Sequence, residues 1–414
     1  MLSHEQPVSL FVDIVLFIIA LLLLVPISVF FLESCAAFLP GRREAKEAGE
    51  PRPRVAVLVP AHNEASGIGA TLETLLPQVT SQDRLIVIAD NCSDETAAIA
   101  RTSGATVIER NNQEQKGKGY ALDYGLRFIE ADPPDVVVMA DADCIVHEGV
   151  IDQVTRLAKA FGRPVQTTYL MEQPANPGPK DAVSALAFMV KNLVRPSGLE
   201  RLGLPCLLYG TAMAFPWPVI ASAPLASGNI VEDMQLAIDL ALAGHAPVFC
   251  SQAKVIGRLP QQKQAAEGQR VRWEHGHLQT LLTQVPLLLK ESIRQRRFDL
   301  FAIALDLSIP PISLLVLMWV AFMAITALAG VLGASWLPAI VLFIEGLLLF
   351  TAIVAAWLKF GRADLPLMAL LGVPAYILWK VPLYFAFLVR PQTKWIRTER
   401  DPVEAPVEAS VEAK

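Results

Sequence analysis

Residues 14–32 read IVLFIIALLLLVPISVFFL, without a single charged side chain. Coiled at 1.5 Å per residue, such a run reaches across about 30 Å, the thickness of bilayer hydrocarbon. Hydrocarbon offers backbone N–H and C=O groups no partners, so the run has to be a helix. The rest of the chain must then fold beside it or outside the bilayer. No basic stretch precedes the run and no small-residue cleavage site follows it, so a retained anchor is expected and not a cleaved leader. Further apolar stretches at 307–332, 337–358 and 365–389 read as membrane segments. The third contains Pro366, Pro374, Lys380 and Pro382 and is expected to be broken or re-entrant. Glu345 falls near the middle of the second, a position where a carboxyl group is costly and so a functional candidate. Of the 414 residues 53% are hydrophobic and only 18% charged, against about 25% charge in soluble domains, so part of this protein is not in water.

Arg42, Arg43 and Lys46 follow the first run, and the tendency of basic flanks to stay inside puts the N-terminus outside and the following residues in the cytoplasm. At the other end a third span would put the C-terminus outside, whereas Arg390, Lys394, Arg397 and Arg400 favour the inside; a cytosolic tail is preferred. Residues 403–413 repeat Val-Glu-Ala and are too simple to form a core, so disorder is expected there. A net charge of −5 and the lack of a basic stripe interleaved with aromatics argue against nucleic acid as a partner. Cys35, Cys92, Cys144, Cys206 and Cys250 are scattered and odd in number, which suits buried, reduced thiols and neither zinc nor disulfides.

Between 54 and 255 short apolar runs at 55–60, 85–90, 105–108 and 136–141 alternate with helical stretches at 65–76, 93–103 and 116–130. Ser93 is the expected N-cap of the second helix, with Asp94 and Glu95 in its first turn. This alternation implies an α/β fold with a mostly parallel sheet, whose ligands bind beyond the carboxyl ends of the strands. Asn63-Glu64, Asp90 and Asp141-Ala142-Asp143 all fall at such ends. From 264 to 290 the pattern is helical and leads to Arg294, Arg296 and Arg297, as in a helix lying at a membrane interface. The expected organisation is an anchor over 1–40, an α/β domain with the interfacial helix over 50–298, two or three membrane segments over 299–390, and a basic then disordered tail over 391–414.

Asp141 and Asp143 leave one strand a residue apart, and hard cations such as Mg²⁺ and Mn²⁺ take one or two carboxylates together with substrate phosphates. A capped turn with a solvated Asp143 is the plainer use of so short a motif. Asp90 can accept hydrogen bonds from a nucleoside, while Ser93 and Asp94 beside it serve capping. Lys116-Gly117-Lys118-Gly119 opens a helix with backbone access and positive charge, which suits a phosphate and equally a solvated loop. Glu232-Asp233 begins a helix over 231–244; there Asp233 can deprotonate a hydroxyl with Glu232 beside it, or the pair is an acidic first turn matched to the helix dipole. Gln269, Arg272 and Trp273 share one helix face, with Arg272 able to clamp a diphosphate and Trp273 offering a flat surface to a sugar ring or filling a core.

Taken together these motifs resemble the family 2 glycosyltransferases, more narrowly the membrane-integrated branch with cellulose, hyaluronan, chitin and poly-N-acetylglucosamine synthases. The resemblance covers roughly 54–290. Residues 60–64 are similar to the family's opening P-A-x-N-E, so Glu64 is matched to the donor site. Asp90 matches the nucleotide-binding aspartate, Lys118 the lysine of its G-K-G segment, and Asp143 the metal-holding aspartate of D-x-D, with Asp141 beside the donor. Asp233 matches the catalytic base, and Gln269, Arg272 and Trp273 complete Q-x-x-R-W. Ala89 and Val231 depart from the common pattern at neighbouring positions. The resemblance implies a GT-A-type, Rossmann-like cytosolic domain with flanking transmembrane helices, an inverting displacement, a UDP-sugar donor and Mg²⁺ or Mn²⁺. The implied partners are a nucleotide-sugar donor, a glycan or lipid-linked acceptor, membrane lipids, and an export or accessory protein that completes a channel. Transfer of one sugar to a lipid, or a silent sugar-nucleotide sensor, are the alternatives.

Overall fold

The computed structural model describes residues 5–41, 51–172, 178–226, 231–257, 263–362, 365 and 367–390. The basic residues at 42–46, Pro366 and the tail from 391 onward lie outside the described residues. The first apolar run is one helix, α1 (Glu5–Ala36), which continues through Pro26. There follow β1 (Val55–Ala61), α2 (Ile68–Leu75), β2 (Arg84–Asp90), α3 (Thr96–Thr102), β3 (Thr106–Arg110), α4 (Lys118–Ile129), β4 (Val136–Met139), β5 (Cys144–Val146), α5 (Val150–Phe161) and β6 (Val165–Met171). Next, α6 (Pro179–Met189) runs through a π-helical turn, Val190–Val194, into α7 (Arg195–Leu202), and β7 (Met213–Pro216), α8 (Trp217–Ile220), α9 (Glu232–Leu242) and β8 (Val248–Gly257) complete the sheet region. The remainder is helical: α10 (Lys263–Gln295), α11 (Phe298–Leu307), α12 (Ile312–Val331), α13 (Leu337–Ala356), α14 (Leu367–Leu370) and α15 (Val373–Val389).

The eight strands form one sheet in the order β3-β2-β1-β4-β7-β6-β8-β5. Its first four strands pair in parallel, Val57 opposite Leu85 and Val138. β1 and β4 are apolar throughout because they are covered on both faces, which is why they read as unbroken hydrophobic runs. Beyond β4 the sheet turns antiparallel: β7 pairs with β4 and β6, and β5 with β8, while β6 and β8 are parallel. That half was not legible as strands, since its members are short or carry polar residues such as Gln166, Thr167 and Thr168, which are buried. The fold is therefore mixed α/β, with parallel character confined mainly to the first half. Ser93 is not the N-cap of α3. The helix starts later, where Asp94 Oδ1 accepts the Thr96 N–H at 3.1 Å, and the Ser93 N–H goes instead to Asn63 Oδ1 at 2.7 Å.

Three helical segments, Leu10–Ala36, Ile312–Val331 and Leu337–Gly361, are long and apolar enough to cross a membrane. The stretch expected from 307 is divided. α11 ends at Leu307, and Pro310 and Pro311, which have no N–H to give, separate it from α12. Leu300, Ile303, Ala304 and Leu307 of α11 belong to the core of the sheet. The last stretch is broken, as its prolines suggest, into the turn α14 and the shorter apolar helix α15.

A second apolar core joins α1, α6, α12 and α13 through Leu23, Ile27, Phe30, Leu186, Leu315 and Leu342. The two cores meet at one buried ion cluster. Arg195 on α7 donates from Nε to Glu33 Oε2 at 2.8 Å and from Nη2 to Asp306 Oδ1 at 2.5 Å, tying α1 and α11 to α7. One turn along α7, Gly198 lets the backbones touch: a Cβ there would lie 2.0 Å from the Glu33 carbonyl oxygen.

Candidate functional site

The loops after β1, β2 and β4 converge on one cavity of about 350 Å³. Hydrophobic strands end there because the sheet's edge of carboxyl termini is where backbone and polar side chains regain partners other than the ladder. The loops are stapled to one another. His62 Nδ1 lies 2.6 Å from the Asp90 carbonyl oxygen, and Glu64 N–H donates to Thr96 Oγ1 at 2.8 Å. Asn63 and Asn91 take left-handed backbone angles, φ 54° and 53°, which asparagine tolerates better than most residues.

Asp90 is buried, and one of its oxygens accepts hydrogen bonds from Arg110 Nη1 at 2.7 Å and Asn91 Nδ2 at 3.0 Å. Arg110 ends β3 and was not foreseen; nothing in its sequence neighbourhood marks it, because the pairing comes from parallel register between β2 and β3, which sets Asp90 opposite Arg110. Lys118, at the start of α4, is the hub of the site. Its Nζ donates to Asp141 and, at 2.5 Å, to the Gly210 carbonyl oxygen, and lies 3.8 Å from Glu232 Oε1. Burial pulls this ammonium down, but Asp141, Glu232 and Asp233 together hold it above its ordinary value. Gly210, at φ 96°, permits the crowding: a Cβ would stand 3.2 Å from Asp233 Oδ2.

The same burial acts on the carboxylates. Asp141 is raised by desolvation and by Asp143, against the pull of Lys118. Glu232 is pushed up to about 7 by burial and by Asp233, with Lys118 and Arg272 opposing. Thr211 Oγ1 accepts the Asp141 N–H at 3.0 Å, and the Met234 N–H donates to Asp233 Oδ1 at 2.8 Å. Gln269, Arg272 and Trp273 of α10 line the cavity, and the Trp273 ring meets Phe188 at 5.8 Å.

The ten residues matched to the family's motifs, Glu64, Asp90, Lys118, Asp141, Asp143, Glu232, Asp233, Gln269, Arg272 and Trp273, line this one cavity. Lys191, Asn192, Arg195, Tyr209, His277 and Lys380 line it as well and were not singled out. They come from helices, from the loop before β7 (Tyr209) and from a broken apolar stretch, where a lone polar residue carries no positional signal. Glu345 is fully buried and does not belong to the cavity lining.

Among the described residues no group of three or more His, Cys, Asp or Glu side chains forms a metal cage. Asp141 and Asp143 nevertheless offer the two hard oxygens that Mg²⁺ or Mn²⁺ takes from a protein when a diphosphate supplies others, so the donor set fits a hard cation arriving with nucleotide and not a thiolate-seeking one.

A parallel half-sheet bearing acidic loops at its carboxyl edge, completed by an antiparallel half and covered by helices, defines a GT-A-like fold. The chain belongs to the family described as glycosyltransferase-like family 2, whose model matches residues 51–276. It is similar in structure to the mannosyltransferase PcManGT from Pyrobaculum calidifontis, solved with GDP-Man and Mn²⁺, at 19% identity and TM-score 0.52, covering 88% of this chain and 99% of that one. In sequence it is similar to the low-salt glycan biosynthesis hexosyltransferase Agl6 of Haloferax volcanii, 34% identical over 94 residues, 22% of this chain and 21% of that protein. It is also similar to glucosyl-3-phosphoglycerate synthase of Mycolicibacterium smegmatis, 34% identical over 108 residues, 25% of this chain and 34% of that protein. The aligned stretch thus spans about a third or less of these relatives' length.

Proposed function

We propose that this chain is a membrane-embedded, inverting glycosyltransferase that moves a hexose from a nucleotide-sugar to an acceptor hydroxyl at the cytoplasmic face of the membrane. In this reading residues 50–298 form the catalytic domain and the apolar helices before and after it hold it at the bilayer. The reading is supported above all by Asp233, which shares one cavity with Lys118 and Asp141 on the side of the strand ends and with Arg272 and Trp273 on the side of α10.

Asp90 and Glu64 hold the nucleoside, with Arg110 holding the Asp90 carboxylate in place. Lys118 faces the diphosphate, and Asp141 and Asp143 would hold Mg²⁺ or Mn²⁺. When bound, the cation supplies positive charge against the departing diphosphate. Asp233 takes the acceptor's proton as the hydroxyl oxygen bonds to the anomeric carbon; the bond from that carbon to the diphosphate oxygen breaks, and the nucleoside diphosphate leaves with the electron pair. Arg272 stabilises that leaving anion with charge-assisted hydrogen bonds, and Trp273 stacks on a sugar ring. The Met234 N–H holds the Asp233 carboxylate, and the missing side chain of Gly210 leaves room for it.

The test is release of nucleoside diphosphate from a panel of UDP- and GDP-sugars by the full chain in lipid, with Mn²⁺ and with EDTA. Metal-dependent release with one donor is the expected outcome. Asp233→Asn should lower transfer by about 10³-fold or more while nucleotide affinity is retained, the signature of losing a proton acceptor used only in the transition state. Transfer near the wild-type rate in that variant removes Asp233 from the role. A protein that binds nucleotide and releases none, even with a total membrane lipid extract, would instead be a sensor.

A further inference from the structure

The donor, with Arg272 of α10 on its diphosphate, accounts for only part of the cavity. Another wall is built from α6, the turn Val190–Val194, α10, the start of α12 and α15. On it Asn192 Oδ1, Gln269 Oε1, Arg270 Nε, Glu274 Oε2 and His277 Nε2 are buried without a hydrogen-bond partner. Asn192, Gln269 and His277 are 2%, 8% and 5% exposed, so these atoms are withdrawn from bulk water. A buried polar atom left without a partner is costly, and native proteins keep few of them. Their concentration on one cavity wall is the mark of a surface completed by a polar ligand.

Charge narrows the ligand. Arg270, which lines the cavity, lies over the Trp379 ring at 5.5 Å; Lys180, exposed and outside the lining, lies over the same ring at 5.0 Å, and neither cation has a carboxylate partner among the described residues. Glu274 is already paired with Lys380. The wall therefore offers spare positive charge, and planar or clustered cations of this kind select phosphate. Location narrows it further. Pro310–Ser313 open the membrane-length helix α12, and α15 carries Tyr376 and Lys380 inward while Leu378, Phe385 and Leu388 stand 68%, 63% and 77% exposed. One element thus presents a polar face to the cavity and an apolar face outward.

We propose that this wall is the acceptor subsite and that the acceptor is a membrane lipid whose headgroup carries both a phosphate and a hydroxyl. The proposal rests on the glycosyltransferase reading and names its acceptor class. Lys180 and Arg270, held on Trp379, take the phosphate. Asn192, Gln269 and His277 satisfy headgroup hydroxyls and direct one of them toward Asp233. The acyl or prenyl chain stays in the bilayer along α15 and the start of α12, so the headgroup enters from the side.

The test uses the full chain in nanodiscs of phosphatidylcholine containing a minor share of phosphatidylglycerol or phosphatidylinositol, with retained lipid counted by native mass spectrometry. The wild type should retain one of the hydroxylated phospholipids over phosphatidylcholine, and Lys180→Gln/Arg270→Gln should lose about tenfold of that preference, as expected for a lost charge-assisted contact. The charge-preserving pair Lys180→Arg/Arg270→Lys and the exposed control Arg294→Gln should keep it. Nucleotide diphosphate binding, measured on the same samples with Mn²⁺, should be unchanged in the double variant, which also shows that it has folded. Equal retention of all lipids by the wild type, or an undiminished preference in the double variant, overturns the proposal. Displacement of the lipid by millimolar glycerol phosphate overturns it in favour of a soluble phosphorylated acceptor. If the wild type binds no nucleotide, the donor reading fails on its own, whatever the lipid result.

Discussion

Lys118 sits among three carboxylates, Asp141, Glu232 and Asp233, and its neighbour Glu232 carries the cost. The Glu232 carboxyl is pushed from 4.5 up to about 7, chiefly by burial. The folded protein holds this proton more tightly than the unfolded chain, so the associated stability is fully present below about pH 4.5 and is lost as pH rises toward 7. Glu232→Gln, which cannot ionise, should therefore raise the melting temperature at pH 8 and change it little at pH 5. Thermal unfolding at the two pH values decides this, and an equal shift at both removes the argument. At Asp143 the expectation concerns affinity: Asp143→Ala should weaken nucleotide binding about tenfold or more in Mn²⁺ and leave the residual binding in EDTA unchanged, as read by calorimetry. An affinity that is unchanged in Mn²⁺ excludes Asp143 from metal binding. Short motifs at strand ends were legible as candidates because a carboxylate after a buried strand stands out. Arg110 and Thr211 were not, since their roles depend on which strands are neighbours.

At the scale of elements, α7 is the joint between the sheet and the membrane-length helices. Arg195 is 5% exposed and bonds to Glu33 of α1 and Asp306 of α11. Removing the cation from a buried cluster leaves uncompensated carboxylates, and Arg195→Ala should cost about 3–5 kcal/mol. Denaturant or thermal unfolding in lipid measures that loss; a change within about 0.5 kcal/mol, the range of an ordinary surface substitution, would show that the cluster is not holding the elements together. The sequence foretold α1 as a helix from its uninterrupted apolar run, but not its partners. Glu33 reads as a charge after the span, and only the crossing of α1 with α7 at Gly198 makes it part of a buried site.

For the whole molecule, the consequence is that α1 is not a detachable anchor. Its inner face, Leu23, Ile27 and Phe30, fills a core shared with α6, α12 and α13. A chain lacking residues 1–40 should expose that face, orphan Arg195 from Glu33, and run as aggregate in size-exclusion chromatography under detergent conditions that keep the full chain monodisperse. A monodisperse truncated chain with intact nucleotide binding would show that sheet and membrane helices are independent.

Hydrophobic patterning by itself determined the membrane-length helices, the parallel half of the sheet and the carboxylates at its edge. These are local properties: a run of a given length and period dictates one element, and a polar residue at its end marks where that element stops. Only tertiary structure decided the antiparallel half of the sheet, the Asp90–Arg110 and Lys118–Asp141 pairs, and the second wall of the cavity. Each of those joins residues far apart in the chain, and such meetings are set by strand order and helix packing, which no local pattern records.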